Sequence, residues 1–154
     1  MDRIVGISDR TNSALHALAL AACEGGSISA AAAAARLGIS PTYLAKIFQS
    51  LAGRGIVAST RGIGGGFTLM ENPERITGMK ILEALDGPLP DRYCLFEKAV
   101  CISGVCAFKT LCDDVAVMLR STLETTTVAD LAAKFTSGAV RSGDAPRAAA
   151  DKSE

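Results

Sequence analysis

The chain has 154 residues, of which 49% are hydrophobic, and its formal net charge at pH 7 is zero. This length and composition are typical of one folded domain with a few added elements, and they exclude an intrinsically disordered chain. No apolar run reaches the roughly 18 residues of a membrane span, and the N-terminus lacks the apolar core of a signal peptide. We therefore expect a cytoplasmic protein with no membrane partner.

The charge is unevenly distributed along the chain. Residues 1–70 hold six Lys and Arg against three acidic residues, whereas residues 71–154 hold ten against thirteen. The first half therefore carries a net charge of +3 and the second half a net charge of −3. A basic half can face nucleic-acid phosphates, although ordinary scatter of surface charge produces the same imbalance.

Two helices are predicted at the start of the chain. Ser8 can cap a helix that runs to about Cys23, because apolar residues recur there at the spacing of a buried stripe. A second helix fits residues 29–37, which include a run of six alanines, and Gly38 is its C-terminal stop.

A third helix and a hairpin follow. Ser40 and Pro41 supply an N-cap and a first-turn proline, and the helix is predicted to end near residues 53–55. Residues 56–70 contain a β-branched run, a glycine-rich turn and a second apolar run, which together predict a β-hairpin.

The second half is predicted to be helical apart from a cysteine-rich loop. One helix is capped by Thr77 and ends near Leu85, and a long helix runs from about Ala107 to Leu123. One side of the long helix is predicted to be a seam that a partner subunit covers, formed by Leu111, Val115, Met118, Leu119 and Thr122. Thr127 and Asp130 form a capping pattern for a short last helix over residues 128–135.

Two short helices joined by a tight turn and followed by a hairpin form a winged helix-turn-helix pattern. The second helix of such a unit lies in the major groove, and a slim glycine-rich wing can carry an arginine into the minor groove. Each element alone has an ordinary structural interpretation as a cap, a core residue or a hairpin, but their order favours DNA binding. The predicted DNA-contacting residues are Ser40, Thr42, Tyr43, Lys46, Gln49, Arg61, Gly62 and Gly65.

Five cysteines stand in the chain, and four of them lie within nineteen residues. An odd number without an export signal argues against a disulfide framework and favours thiolates that bind metal or react. Three thiolates on a loop that leads into a helix can wrap a compact iron–sulfur cluster. Zinc can use the same ligands, although no C-x2-C pair is present, and coincidental cysteines are the other interpretation. The five are Cys23, Cys94, Cys101, Cys106 and Cys112.

The DNA-binding stretch resembles a known family. Residues 40–57 (SPTYLAKIFQSLAGRGIV), residues 61–69 (RGIGGGFTL) and residues 86–88 (DGP) are similar to the IscR/NsrR/RirA, or Rrf2, family of bacterial winged-helix regulators. The resemblance extends from about residue 7 to residue 135. It implies a homodimer in which the long helices of the two subunits cross, and a roughly palindromic double-stranded DNA operator. It also implies an iron–sulfur cluster, which many members bind. Repression is the commoner mode in this family.

The resemblance also implies a ligand set. Relatives place the last cysteine ligand about 21 positions before the capping Thr, which is Thr127 here, and this count selects Cys106 together with Cys94 and Cys101. The gap between the last two departs from the usual spacing, so the cluster type stays open between 2Fe-2S and 4Fe-4S.

A fourth ligand is less well defined by the resemblance. The positions that relatives use hold Lys109 and Asn12 here, both poor iron ligands, so His16, the single histidine, is the candidate. A solvent, thiol or small-molecule ligand is the alternative. Cys112 is interpreted as a core or dimer-interface residue, with a ligand role as the alternative, and Cys23 is interpreted as structural.

These patterns predict a mainly α protein with a small β-hairpin, and a function as a DNA-binding transcriptional regulator rather than an enzyme. No P-loop, metallohydrolase His pair or Cys–His pair is present. The alternatives are a cluster-free regulator that senses through thiols or a small ligand, and an iron–sulfur protein whose helix-turn-helix binds no DNA. The predicted segments are a winged-helix domain (1–88), a cluster loop (89–106), a dimerisation helix with a short C-terminal helix (107–136) and a disordered tail (137–154).

Overall fold

The computed structural model describes residues 7–60, 62, 65–89 and 108–137. Six α-helices and three short strands follow one another in this part of the chain. In order they are α1 (Asp9–Cys23), β1 (Ser27–Ile28), α2 (Ala30–Leu37), α3 (Pro41–Gly53), β2 (Val57–Thr60), β3 (Gly66–Leu69), a 3-10 turn (Pro73–Arg75), α4 (Gly78–Asp86), α5 (Lys109–Thr125) and α6 (Val128–Ser137). None of these helices is long and apolar enough to cross a membrane.

The predicted caps Ser8 and Ser40 are present, and Ser29, which was predicted as part of the second helix, is a third cap. The hydroxyls of Ser8, Ser29 and Ser40 each accept a hydrogen bond from a backbone N–H in the first turn of the following helix. Each hydroxyl satisfies one of the donors that a helix start leaves unpaired. Gly38 ends α2 in the left-handed conformation, with φ of 67°, which glycine adopts without the steric cost of a Cβ.

The predicted hairpin is one part of a three-stranded antiparallel sheet of order β1-β3-β2. The two-residue strand β1 was not predicted, because two residues carry no periodic pattern. Gly66 makes its approach possible, since a Cβ at that position would lie 2.8 Å from the carbonyl oxygen of Ile28. The sheet is anchored by Phe67 of β3, whose ring stacks on Phe48 of α3 with centroids 4.5 Å apart.

The main core lies around α1. Ala14, Leu18 and Ala17 are completely buried there and contact a cluster that also includes residues from α2, α3 and the sheet. A second, smaller cluster joins α4 to α5 through Met79, Leu82, Leu89 and Leu123. The burial of this apolar surface supplies the main stabilising free energy of the fold.

Two details of α5 and α6 differ from the sequence prediction. Leu119 does not belong to an open seam, because it packs against the second cluster within its own chain. The helices end at Thr125 and Ser137, each two residues beyond the predicted position. The capping pattern before α6 is confirmed: Asp130 accepts hydrogen bonds from the backbone N–H and the hydroxyl of Thr127 at 2.8 and 2.7 Å, and that hydroxyl also accepts from the Asp130 N–H.

Candidate nucleic-acid interface and cysteine segment

The helix α3 has one buried face and one exposed face. Leu44, Ile47, Phe48 and Leu51 are at most 1% exposed and fix the helix on the core. The i, i+3, i+4, i+7 spacing of these residues directs the intervening positions outward. The exposed side chains include four that the sequence predicts for DNA contact, namely Thr42, Tyr43, Lys46 and Gln49.

The start of α3 lies at the surface. Ser40, Pro41 and Thr42 are all exposed, and the Ser40 hydroxyl accepts a hydrogen bond from the Tyr43 N–H at 3.4 Å. The lone pairs of Ser40 therefore serve the cap, while its hydroxyl proton can still be donated outward. The partial positive charge of the helix N-terminus adds to the attraction of this surface for a phosphate.

The helix α2 packs against α3. Ala33 and Ala34 are fully buried between these two helices, and their small side chains permit close packing. The turn between the helices is short, because the Ile39 N–H donates to the Ala34 carbonyl at 3.1 Å just after Gly38. This arrangement is the helix-turn-helix that the sequence predicts.

The wing is formed by β2 and β3, whose register pairs Val57 with Leu69 and Thr60 with Gly66. At its tip, Gly62 is exposed with φ of 110°, and its carbonyl accepts a hydrogen bond from the Gly65 N–H at 2.9 Å. Both predicted wing glycines thus shape a tight turn. Arg61, the predicted minor-groove residue, lies outside the described residues.

The charge near the helix-turn-helix is partly neutralised. Arg36 on α2 pairs with Glu24 at 2.7 Å, and both side chains are largely exposed. An exposed pair of this kind contributes little stability, but it lowers the net positive charge on that side. Lys46 lies on the same exposed face as Tyr43 and Gln49, so it supplies positive charge directly to the predicted reading face.

The three predicted cluster ligands, Cys94, Cys101 and Cys106, lie outside the described residues. The chain leaves the described part at Leu89, which is 6% exposed, and its carbonyl accepts a hydrogen bond from the Arg120 guanidinium of α5 at 3.4 Å. It returns at Phe108, one residue before α5 begins. In the described part of the chain, no three or more His, Cys, Asp or Glu residues are close enough to hold a metal ion.

His16, the candidate fourth ligand, is exposed on α1. Its Nδ1 lies 2.8 Å from the Asn12 carbonyl oxygen, and its ring meets that of Phe135 edge to face at 5.9 Å. A carbonyl oxygen can only accept, so Nδ1 is the donor in this contact. Hydrogen bonding of one ring nitrogen orients the other nitrogen for a metal or a solvent molecule.

The other two cysteines contribute to packing. Cys112 of α5 is 4% exposed, as a structural residue would be. Cys23 is half-buried, and its thiol donates to the Ala132 carbonyl of α6 at 3.5 Å.

A polar cluster at the start of α1 was not predicted from the sequence. Ser8 and Thr11 are 3% and 0% exposed, and their hydroxyls both donate to the carboxylate of Asp86 at 2.9 Å. Arg10 in the same turn contacts Ser50 of α3. One signal was present: Arg10 puts a positive charge in the first turn of α1, where the helix dipole favours a negative one.

A helix-turn-helix with a hairpin wing and an exposed face on its second helix defines the winged helix-turn-helix class of proteins. The family model described as "Iron-dependent Transcriptional regulator", named Rrf2, matches residues 7–134. The chain therefore belongs to the Rrf2 family of transcriptional regulators, which agrees with the family expected from its motifs.

Relatives of known sequence or structure agree with this assignment. The HTH-type transcriptional regulator IscR of Photobacterium profundum is 36% identical over 97 residues, covering 62% of this chain and 56% of that protein. The chain thus spans little more than half the length of this relative. The structure of CymR (YrzC), the global cysteine regulator of B. subtilis, superposes with a TM-score of 0.68 at 27% identity, covering 86% of this chain and 98% of CymR. The structure of T. potens IscR has a TM-score of 0.60 at 23% identity, covering 84% and 87%, and supports the fold.

Proposed function

We propose that this chain is a homodimeric repressor that binds a double-stranded DNA operator and responds to redox, nitric oxide or iron status through an iron–sulfur cluster. The observation that carries the DNA-binding part is the exposed face of α3. Thr42, Tyr43, Lys46 and Gln49 lie on a helix whose opposite face is completely buried, so they are held on a rigid element and directed to solvent. A family of transcriptional regulators supplies the context.

The chemistry of these side chains suits a major groove. Gln49 can pair with the N6 and N7 edge of an adenine, and Lys46 can reach a guanine O6 or N7 or a phosphate oxygen. Thr42 and Tyr43 at the helix start are placed for backbone phosphates together with Ser40. The wing carries Arg61 beside glycines and fits a narrow minor groove, whose negative potential attracts arginine.

The dimer part of the proposal rests on an apolar stripe along α5. Phe108, Leu111 and Met118 are 52%, 53% and 70% exposed in the single chain, and Val115 and Thr122 continue the stripe. The spacing alternates between three and four residues, which is the heptad repeat of helices that pack against a second helix. The stripe lies beside the face of α5 that packs on α4. A second subunit that covered the stripe would therefore extend the cluster between α4 and α5.

The cluster part rests on the donor set. Cys94, Cys101 and Cys106 supply three thiolates between two anchored ends, Leu89 and α5, and thiolates are the ligands that iron–sulfur clusters use. His16, whose Nε2 takes no part in the contact with Asn12, is the candidate for the fourth position. A bound cluster would supply a redox-sensitive group. Its loss would change the charge of the segment between Leu89 and α5 and would remove the bonds that hold its three cysteines together.

A second candidate function is a cluster-free regulator that senses through its thiols. The similarity to CymR, a protein described as a global cysteine regulator, favours this alternative. The three cysteines would then be the sensor themselves, because exposed thiolates are the reactive form of cysteine.

The decisive experiment is an absorption spectrum, with iron and acid-labile sulfide assays, of protein purified without oxygen. Stoichiometric iron and sulfide in the wild type, their loss in Cys101→Ala and their retention in Cys23→Ala are the expected results. Full cluster content in Cys101→Ala would contradict the ligand assignment. A colourless wild type that also resists reconstitution would refute the cluster and leave the thiol-sensing alternative.

DNA binding is tested separately by gel shift with fragments selected from genomic DNA. Affinity is expected to fall steeply with salt, because each phosphate contact releases counterions. Arg61→Ala is expected to weaken binding more than Arg75→Ala, an equal loss of charge at an exposed position on the 3-10 turn. Equal affinity of Arg61→Ala and wild type would refute the wing contact.

A further inference from the structure

The first turn of α1 is fastened to the last turn of α4 by Asp86. Its carboxylate accepts from the Ser8 and Thr11 hydroxyls at 2.9 Å and from the Ser8 N–H at 3.4 Å. As the last residue of α4, Asp86 stands against the dipole of its own helix but beside the positive end of α1. The carboxylate therefore acts as a cap for a neighbouring helix, and it fixes the two helix ends to each other.

Arg10 extends this junction to the reading helix. One guanidinium nitrogen donates to the Leu85 carbonyl of α4 at 3.5 Å, and another donates to the Ser50 hydroxyl of α3. The Ser50 hydroxyl in turn donates to the Lys46 carbonyl at 3.0 Å. An unbroken series of hydrogen bonds thus runs from the end of α4 to the backbone of the residue that supplies charge to the reading face.

The geometry of the guanidinium explains why this position holds arginine. A guanidinium presents donors in a rigid fork, so one side chain can reach two acceptors on two different helices at once. Arg10 is half-buried, and its guanidinium nitrogens donate to Leu85 and Ser50. Lys46, one turn before Ser50 on α3, is exposed instead. This arrangement is that of a brace between helices rather than of a phosphate contact.

We propose that Arg10 is a positioning residue for DNA binding: it holds α3 at a fixed angle to the α1–α4 junction, from which the chain leaves towards the cysteine segment. The proposal rests on the proposed function, since it presumes that α3 reads DNA. The buried face of α3 keeps the helix on the core, and the brace narrows the packing angles that remain open to it. Without the brace, the apparent affinity falls in proportion to the fraction of molecules that keep the binding angle.

The test measures operator affinity against salt for the wild type, Arg10→Met, Arg10→Lys and Ser50→Ala. Arg10→Met and Ser50→Ala are each expected to bind about 3- to 10-fold more weakly, which corresponds to the net contribution of a hydrogen bond. The slope of log affinity against log salt should stay unchanged in both, because no phosphate contact is lost. Arg10→Lys keeps the charge but loses the fork, and it should bind as weakly as Arg10→Met.

Two further variants test whether Arg10 and Ser50 act through one and the same hydrogen bond. The double variant Arg10→Met with Ser50→Ala is expected to bind no more weakly than either single variant, because both remove the same link. Ser50→Thr retains the hydroxyl and should restore affinity. Circular dichroism and melting curves confirm that each variant is folded at the assay temperature, so that a loss of affinity reports orientation.

The outcomes are distinct. If Arg10→Met reduces the salt slope by about 0.9, Ser50→Ala binds normally and Arg10→Lys restores affinity, Arg10 contacts a phosphate and the positioning role is overturned. If the wild type binds DNA and Arg10→Met binds equally well, the brace is overturned while the proposed function stands. If the wild type binds no DNA at any salt concentration, the proposed function fails, and the positioning role fails with it.

Discussion

Asp86→Ala is expected to be among the most destabilising single polar substitutions in the described part of the chain. The substitution leaves the Ser8 and Thr11 hydroxyls, which are 3% and 0% exposed, without their acceptor. A hydrogen bond to a charged group contributes about 1.5–3 kcal/mol, and the partial exposure of Asp86 places both bonds near the lower limit. The expected loss in the free energy of unfolding is therefore about 3 kcal/mol.

Urea denaturation followed by circular dichroism measures this loss directly. The midpoint should fall with an unchanged m-value, because the unfolded and native states keep their exposed areas. Thr11→Val provides the matched test, since valine has nearly the same shape and removes one of the two orphaned hydroxyls. In the Asp86→Ala background it should cost much less than in the wild type, and can even stabilise.

Two results would refute this reasoning. A loss below about 1 kcal/mol for Asp86→Ala would mean that water replaces the carboxylate at both hydroxyls. Strict additivity of the Asp86→Ala and Thr11→Val effects would mean that the bond between these two residues makes no net contribution to stability.

Three further predictions follow from the surface of the fold. Met118→Asp should convert the proposed dimer to a monomer in analytical ultracentrifugation, whereas Val117→Asp, at 69% exposure but on the far side of α5, should leave the dimer intact; the same oligomeric state for both variants would contradict the role of the stripe. Lys46→Ala should reduce the salt slope of DNA binding by about 0.9, whereas Gln49→Ala should weaken binding at an unchanged slope; an unaltered slope in Lys46→Ala would exclude a phosphate contact. The hydroxyl of Thr127, and then its backbone N–H, donate to Asp130 and hold the pKa of that carboxyl below the ordinary value of 3.8. The stability gained from the carboxylate is therefore present above pH 3.8 and is lost as the pH falls through the lowered pKa. In urea titrations, the free energy of unfolding of the wild type should exceed that of Asp130→Asn by a constant amount from about pH 7 to 5, and this difference should disappear in stronger acid. A difference that persists in strong acid would contradict the role of the charge.

Local sequence signals determined much of the fold. The hydroxyl caps at Ser8, Ser29, Ser40 and Thr77 fix four helix starts, because each satisfies backbone donors a few residues away. The spacing of apolar residues then indicated the face on which each helix is buried. The exposed face of α3 follows from the same periodicity, so the exposure of Thr42, Tyr43, Lys46 and Gln49 could be predicted from the sequence alone.

Non-local contacts could not be predicted from these signals. The strand β1 exists because Gly66, nearly forty residues away, leaves room for it. Leu119 fits an open heptad seam by its position, yet its side chain belongs to the cluster with Leu82 and Leu123. Periodicity identifies an apolar face but not which neighbour covers it, because that depends on the angle at which two helices pack.

The sequence by itself thus determined the class of fold and the exposed face of α3, since each depends on residues that are close along the chain; the three cysteine ligands stay a prediction of the same local kind. Only the tertiary structure decided that Asp86 caps a helix that begins 77 residues earlier, and that Arg10 braces α3 against the end of α4. The physical reason is that a buried polar group needs a partner of matching geometry, and a side chain can find that partner anywhere in the chain that folding brings within about 3 Å.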